Sequence, residues 1–549
     1  MNRFLLLVLL SVVGNQALAQ TNLPTDARPA RAATIITGRV VTTSDNFPIA
    51  NARVLARAAG GPTSVRLATT DDDGKFQLTN LTPANYVIRV VAAGYVADLV
   101  QSDMPFYRPG ENVTFRMIKG GVITGRVVNQ TGQPLALARV RAVRVKDADG
   151  NAVRDSAVRD WTTDDRGIYR AYGLEPGAYL VSANTTTYHP SSTLDTATLV
   201  NVVNGNETGA VDIKYRPEQF YAVSGMVVGG PAQGDVPLRR AAISVTLSHA
   251  ATGVTVAFTT ILPNAGNSVF NFDAVPDGVY ELTAQAAPGS RDAALASPQV
   301  INVRGASVNG IVLTLTPMGS VSGRVLLETT ESCGEVPATA LQETLITAAK
   351  AETQQKTKHV PPLASLLPVE AQPDARGEFL LTNMNAGKYS LNVKLASRRL
   401  YVRDINVSGT PAPARFDGLT LKSGERVHGL MIKLATGAAS ISGHVSADAG
   451  ANPVSLPERL HVYAVPAKRE QADDVLRYAR ASVQPDGSFS LKHLAPDRYW
   501  LLLDASSKEQ SVFDAKTRTA LRDAAERANV SVDLQPCRQV TGYTLRFTP

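Results

Sequence analysis

The chain lacks the local marks that most catalytic, membrane-spanning or nucleic-acid-binding proteins carry. Its seven histidines (His189, His249, His359, His428, His444, His461 and His493) stand alone, with no Glu three residues on and no second His within five, so no zinc-peptidase start is present. It has no Gly-x-Ser-x-Gly elbow and no Gly-x-x-x-x-Gly-Lys-[Ser/Thr] loop. Lys and Arg exceed Asp and Glu by only seven charges, and no cluster of five or more basic residues occurs, so a pI near 9.2 leaves no footprint for nucleic acid. With two tryptophans in 549 residues, aromatic platforms are scarce. No catalytic residue, no metal ligand and no cofactor is expected.

Long apolar runs are also missing. The run at residues 4–13 is too short to span a bilayer, but behind Arg3 and before Ala17-Leu18-Ala19 it has the three-part form of a secretory signal. Residues 1–20 read as a cleaved signal peptide and 21–33 as a linker. No cysteine lies near the cleavage point to take a lipid, and residues 542–549 form neither an apolar tail nor a basic stop. The expectation is a secreted chain with no membrane span in its mature form, placed in a periplasm, on a cell surface or outside the cell.

What is present is repetition. Five openings share one grammar: Ile36-Thr37-Gly38-Arg39-Val40, Ile123-Thr124-Gly125-Arg126-Val127, Val223-Ser224-Gly225-Met226-Val227, Val321-Ser322-Gly323-Arg324-Val325 and Ile441-Ser442-Gly443-His444-Val445. Each is followed by a turn and an aromatic: Asp71-Asp72-Asp73-Gly74 with Phe76, Asp164-Asp165-Arg166-Gly167 with Tyr169, Ser268 with Phe270, Asp374-Ala375-Arg376-Gly377 with Phe379, and Asp486-Gly487 with Phe489. Then comes a Pro- or Gly-marked corner ending in Tyr86, Tyr179, Tyr280, Tyr389 or Tyr499. Alternation in the openings has the period of two of a half-buried strand, and Asp and Gly supply turn dihedrals. A spacing of roughly 90–120 residues is domain-sized, longer than a solenoid repeat.

These marks (G-x-V, then D-x-x-G-x-[FY], then L-x-P-G-x-Y) resemble carboxypeptidase regulatory-like domains, close in pattern to transthyretin-like and Cna-B-type β-sandwiches of the carbohydrate-binding-like fold superfamily. The resemblance covers nearly the whole mature chain. It implies an all-β fold, a tandem array of about five antiparallel Greek-key sandwiches, each of immunoglobulin size and without peptidase activity. The units are expected at 34–119, 120–217, 218–317, 318–436 with an insertion at 328–372, and 437–549 with a helical insertion at 504–528. Residues 338–358, rich in Ala, Leu, Gln, Glu and Lys, read as a helix or an excursion from the sandwich. Residues 514–528 read as a helix with Ala520, Leu521 and Ala524 on one side and Arg518 elsewhere.

Cys333 and Cys537 are the disulfide candidates, a bridge that would clamp the fourth unit to the fifth; two separate buried thiols are the alternative. The acidic turns at 71–74 and 147–151 gather hard oxygen ligands as calcium would want, yet neither has the Glu at the twelfth position of an EF-hand, and hairpin turns that use Asp and Gly for their dihedrals are the preferred reading. In the openings, Arg39, Arg126, Met226, Arg324 and His444 stand where a cross-linking Lys would be needed, which excludes a self-made isopeptide there.

Linkers such as 118–122 and 315–320 are very short, so the sandwiches are expected end to end, on the order of 150 Å if straight. The functional expectation is an exported non-catalytic binding or structural protein, an elongated array engaging an extracellular or envelope protein. Polysaccharide binding is the alternative partner class, with Trp161, Asp164 and Asp165 as candidate ligand residues. An accessory subunit of an envelope complex is a further alternative.

Overall fold

A computed structural model describes residues 34–60, 65–98, 106–153, 159–229, 242–262, 268–286, 293–329, 331, 333–350, 369–395, 397–407, 418–447, 456–457, 460–484, 486–505 and 511–547. The signal peptide read at 1–20, the linker at 21–33 and part of the fourth insertion, 351–368, lie outside these residues.

Each G-x-V pentapeptide lies in a strand: Ile36–Thr42, Gly121–Val128, Tyr221–Gly229, Gly319–Glu328 and Ala439–Ala447. The glycine is dictated by a close approach. A Cβ on Gly38 would overlap the Val113 carbonyl oxygen and the Phe76 ring, and one on Gly323 would overlap the Leu430 carbonyl oxygen and the Phe379 ring. The aromatic that follows each Asp/Gly turn therefore lies over the glycine of the opening strand, which is why the two marks travel together.

The strand carrying that aromatic pairs antiparallel with the opening strand in every unit. On the other side of the opening strand lies the unit's closing strand: Asn112–Lys119, Val308–Pro317, Arg426–Thr436, Gln539–Phe547 and, in the second unit, the two short pieces Glu207–Thr208 and Ile213–Lys214. This pairing is parallel in all five. The expectation of wholly antiparallel sheets is corrected at this one position. First and last strands of a unit are joined through the whole second sheet, a connection long enough for a parallel crossover.

The Asp/Gly turn is not a hairpin either. Val65–Thr69 pairs with Arg53–Ala58 in one sheet, while Lys75–Leu78 pairs with Ile36–Thr42 in the other. The turn carries the chain around the open side of the sandwich, and the same change of sheet occurs between Arg159–Thr162 and Ile168–Leu174.

Apolar residues from the facing sheets make five separate main cores, centred on Val54 and Tyr86, on Val140 and Tyr179, on Val245 and Tyr280, on Ile346 and Tyr389, and on Val462 and Tyr499. In the third unit the two sheets join, because Ala294–Ala296 pairs both with Gly278–Ala286 and with Val308–Pro317.

The insertions differ from the reading of their composition. Leu345–Lys350, expected within a helix or excursion, is a strand paired with Gly387–Lys394, and Ile346 and Ala348 enter the core. Helix-favouring composition is outweighed there by burial against a neighbouring strand. The second insertion does form a helix, α1 (Ala515–Ala528), started by the Asp514 carboxylate accepting from Thr517 N and ended at left-handed Asn529. Leu521 and Ala525 pack on Tyr463, Val465 and Tyr478. Arg518 is buried as well, donating from Nη1 to the Val512 carbonyl at 2.8 Å.

The array is not a rod. Unit one lies against unit four: Arg57 Nη2 is 3.2 Å from Glu370 Oε1, Gly60 N donates to the same oxygen at 3.1 Å, and Arg108 Nη2 donates to the Leu395 carbonyl at 2.8 Å. Asn85 donates to the Glu343 carbonyl, and Lys394 Nζ sits 4.5 Å above the Phe106 ring. The expected elongation is corrected by these contacts. Short linkers fix the angle between neighbours, and here successive angles bring the first sandwich back onto the fourth.

Candidate functional site

The corner tyrosine has the same geometry in all five units, and the turn carboxylate and the arginine above it share one geometry in units one, two and four. The corner tyrosines each donate from the hydroxyl to the carbonyl four residues earlier: Tyr86 to Thr82 at 3.1 Å, Tyr179 to Glu175 at 2.8 Å, Tyr280 to Pro276 at 2.9 Å, Tyr389 to Asn385 at 2.9 Å and Tyr499 to Ala495 at 3.0 Å. Burial raises the pKa of Tyr280, Tyr389 and Tyr499, so these phenols keep their protons and act as fixed donors.

The turn carboxylates accept main-chain hydrogens. Asp71 Oδ1 accepts from Lys75 N at 2.8 Å, Asp164 Oδ1 from Ile168 N at 2.7 Å, and Asp374 Oδ1 from Glu378 N at 2.8 Å. The bond from Ile168 N, assisted by Arg166, holds Asp164 below the usual carboxylate range. Above the turn in units one, two and four, the arginine after the opening glycine donates from Nε to the carbonyl of the residue before the turn glycine: Arg39 to Asp73 at 2.8 Å, Arg126 to Arg166 at 3.0 Å and Arg324 to Arg376 at 2.9 Å. Asp, Arg and Tyr thus each have a structural partner within their own unit. Among the described residues, no group of three or more His, Cys, Asp or Glu is placed to hold a metal ion.

Trp161, Asp164 and Asp165 are not gathered into one pocket. Trp161 pairs opposite Val140 in the second sheet, packs partly buried on that unit's core, and meets the exposed Tyr172 ring edge-on at 6.5 Å between centroids. Asp164 is held by the turn, and Asp165 is exposed beside it. Tyr172 was not singled out in the sequence, although its place three residues beyond Tyr169 on an alternating strand marks it as outward-facing.

Cys333 and Cys537 are disulfide-bonded, with Cα atoms 5.6 Å apart, and Cys537 N also donates to the Gly437 carbonyl at 3.0 Å. Distant residues converge at one further junction. His249 Nε2 lies 2.6 Å from Asp195 Oδ1 and its Nδ1 lies 2.9 Å from Thr252 Oγ1, joining unit three to unit two. The Asp195 carboxylate is 47% exposed while the His249 ring is buried, and the small apolar cluster of Val145, Leu180 and Tyr188 with Leu194 and Val254 also spans the two units, so the pair serves as a joint between sandwiches. A shallow cleft of about 280 Å³ between units three and four is lined by Leu295, Ala296, Pro317, Met318, Asn385 and others, with no titratable side chain among them. No helix among the described residues is long and apolar enough to cross a membrane.

These features define a tandem β-sandwich protein built from one repeated unit. The family model of the carboxypeptidase regulatory-like domain matches residues 35–104 and 122–215, which lie within the first two units. Solved structures similar to the chain include the minor pilin GBS52 of Streptococcus agalactiae, at 15% identity over 34% of this chain and 98% of that one, with a TM-score of 0.21. Two B repeat units of the collagen-binding protein Cna of Staphylococcus aureus are similar at 13% identity, over 74% of this chain and 100% of theirs, with a TM-score of 0.14. The Bacillus anthracis TIE protein is similar at 16% identity over 52% of this chain, with a TM-score of 0.14; this chain spans about half (51%) of that one. No curated protein matches the sequence.

Proposed function

We propose that the chain is an exported, non-catalytic binding and structural protein that presents β-sandwich units to an extracellular or envelope protein partner. One observation carries this reading: in the repeated constellation, the polar residues that give the sequence its signature each satisfy a partner within their own unit, which leaves the surface and the strand edges as the variable, recognising parts. The return of unit one onto unit four supports a scaffold that holds several units in a fixed relation. The test is chemical cross-linking of the tagged full chain in its native envelope or matrix, with a discrete protein expected at constant stoichiometry. The same preparation assayed on ester, peptide and glycoside substrates should show no turnover; turnover abolished by His249→Ala would sink the non-catalytic reading.

A second reading, carbohydrate binding, is favoured by the exposed Tyr172 beside Trp161 at the open side of unit two. Signal on a glycan array that is lost in Tyr172→Ala and Trp161→Ala would support it, and a blank array at high protein concentration would remove it.

A further inference from the structure

In unit four the outer edge of the closing strand is covered by Leu400–Val407, which pairs antiparallel with Arg426–Thr436. Tyr95–Ala97 and Ala294–Ala296 do the same in units one and three. In unit two the residues after Thr187 take that place, with Lys214 N donating to the Pro190 carbonyl at 2.8 Å. Unit five departs from the rest. The chain that corresponds to Leu400–Val407 has become helix α1, which packs on the outer face of the other sheet, and the closing strand Gln539–Phe547 ends a sheet of three strands.

The backbone of that strand shows which groups are left over. A Cβ on Gly443 would overlap the Tyr543 carbonyl oxygen, so the main chain of Tyr543 faces the opening strand. In a strand, successive residues turn their N–H and C=O to opposite sides, so Thr544 and Arg546 aim theirs outward. The residue that matches Arg546 in unit one is Arg116, whose carbonyl accepts from Asp98 N at 3.2 Å, and the match to Thr544 in unit three is Val312, whose carbonyl accepts from Gln299 Nε2 at 2.7 Å. Among the described residues, nothing pairs with the main chain of Thr544 or Arg546.

The core beneath is open on the same side. In unit four Leu430, Ile432 and Leu434 are each 0% exposed, under Leu400 and Ile405 of the covering strand. Their counterparts in unit five are Tyr543, Leu545 and Phe547, of which only Leu545 is buried, the two rings lying half-covered.

We propose that this edge is an acceptor slot for one extended segment of a protein partner, running antiparallel to Gln539–Phe547. The segment carries aliphatic residues opposite Tyr543, Leu545 and Phe547 and a carboxylate opposite Arg546. The proposal rests on the protein-binding reading above and names its surface. Unit four supplies the pattern of the occupant: Val407 and Ile405 stand opposite Leu430 and Ile432, and Asp404 stands opposite Lys433, whose place Arg546 takes in unit five. Main-chain bonds to an open edge give affinity, and alternate side chains reaching the core give selectivity.

The probe is a labelled synthetic peptide with the sequence of residues 400–407 of this chain, titrated into the full chain and followed by fluorescence anisotropy. Saturable binding is expected, weakened at least about tenfold by Ile405→Asp in the peptide or by Thr544→Pro in the protein, since proline removes an outward N–H without costing a ladder bond. Should Thr544→Pro fail to fold, Arg546→Glu is read instead: it weakens the peptide, and Asp404→Lys in the peptide restores it. No saturable binding, or binding equal in wild type and both protein variants, overturns the slot. Concentration-dependent dimers that Thr544→Pro dissolves would give the slot to a second copy and overturn the partner assigned here. Failure of the slot is distinguishable from failure of the broader reading, because in the first case the cross-linked partner is still retained by Thr544→Pro, and in the second no partner is found with either protein.

Discussion

Units four and five share the opening glycine, the Asp turn, the aromatic and the corner tyrosine, and they are joined by the Cys333–Cys537 bridge, yet one has a covered closing strand and, among the described residues, the other does not. The difference lies in one connection. After the corner strand, unit four sends Leu400–Val407 to the sheet edge, whereas unit five sends helix α1 to the sheet face. The repeated grammar therefore fixes the part of the sandwich around Gly, Phe and Tyr, while the connection after the corner is free to change. A unit that leaves its own edge open can still hold its core, because Tyr499, Leu491 and Val462 are sealed from the other side.

The comparison is broken most strongly at the corner. Tyr389→Ala and Tyr499→Ala each remove a buried ring and a hydroxyl bonded to a carbonyl, at about 3–5 kcal/mol in the unit that bears it. Denaturant unfolding followed by a probe in each unit should show only the mutated unit shifted. Equal shifts in all units would contradict separate cores. Next comes the bridge, which spans 204 residues of sequence; replacing both cysteines by serine is expected to lower the stability of the joined pair by about 2–4 kcal/mol. Urea unfolding of the oxidised and the double-serine chain measures this, and an unchanged midpoint would mean that contacts other than the bridge hold units four and five together.

A smaller effect sharpens the contrast. Gly323→Ala forces a methyl against the Leu430 carbonyl in a strand clamped on both sides, an overpacking expected to cost about 1–3 kcal/mol. Gly443→Ala meets the Tyr543 carbonyl in a strand clamped on one side only, so the closing strand can move away and the loss should be the smaller of the two. Paired thermal melts decide it. A larger loss in unit five would show that its closing strand is held as firmly as that of unit four.

The sequence made legible whatever is decided within a few residues. Asp164 ahead of Gly167 and Tyr179 four residues after Glu175 are local contacts, and they recur because local geometry recurs; Gly38 and Phe76 meet across strands, and that pair is legible only because both marks repeat together in every unit. The parallel closing strands, the seat of unit one on unit four and the open edge at Thr544 are set by residues far apart in the chain, for which periodicity carries no signal. Leu345–Lys350 shows the conflict directly: its composition favours a helix, and its neighbour Gly387–Lys394 makes it a strand. Helical spacing sets Arg518 apart from the apolar side of its helix, yet it is buried and its guanidinium reaches the Val512 carbonyl.

The smallest expected effect is on the joint between the two compared units. His493 stands on unit five with a positive φ of 59° and its Nδ1 is 2.9 Å from the Leu400 carbonyl of unit four, the first residue of the covering strand. Burial lowers its pKa below the ordinary value, and the positive charges of Arg108, Lys492 and Arg398 act in the same direction against the bond to Leu400. The unfolded chain therefore binds a proton more readily than the folded one. Stability from this group is fully present above the ordinary histidine pKa of about 6.5 and is lost as pH falls through the lower folded value. Unfolding of units four and five measured between neutral and mildly acidic pH should show a loss on acidification that His493→Asn, which tolerates the same backbone, diminishes. A joint equally stable across that range, or one in which His493→Asn leaves the slope unchanged, would show that protonation is absorbed without disturbing the contact with Leu400.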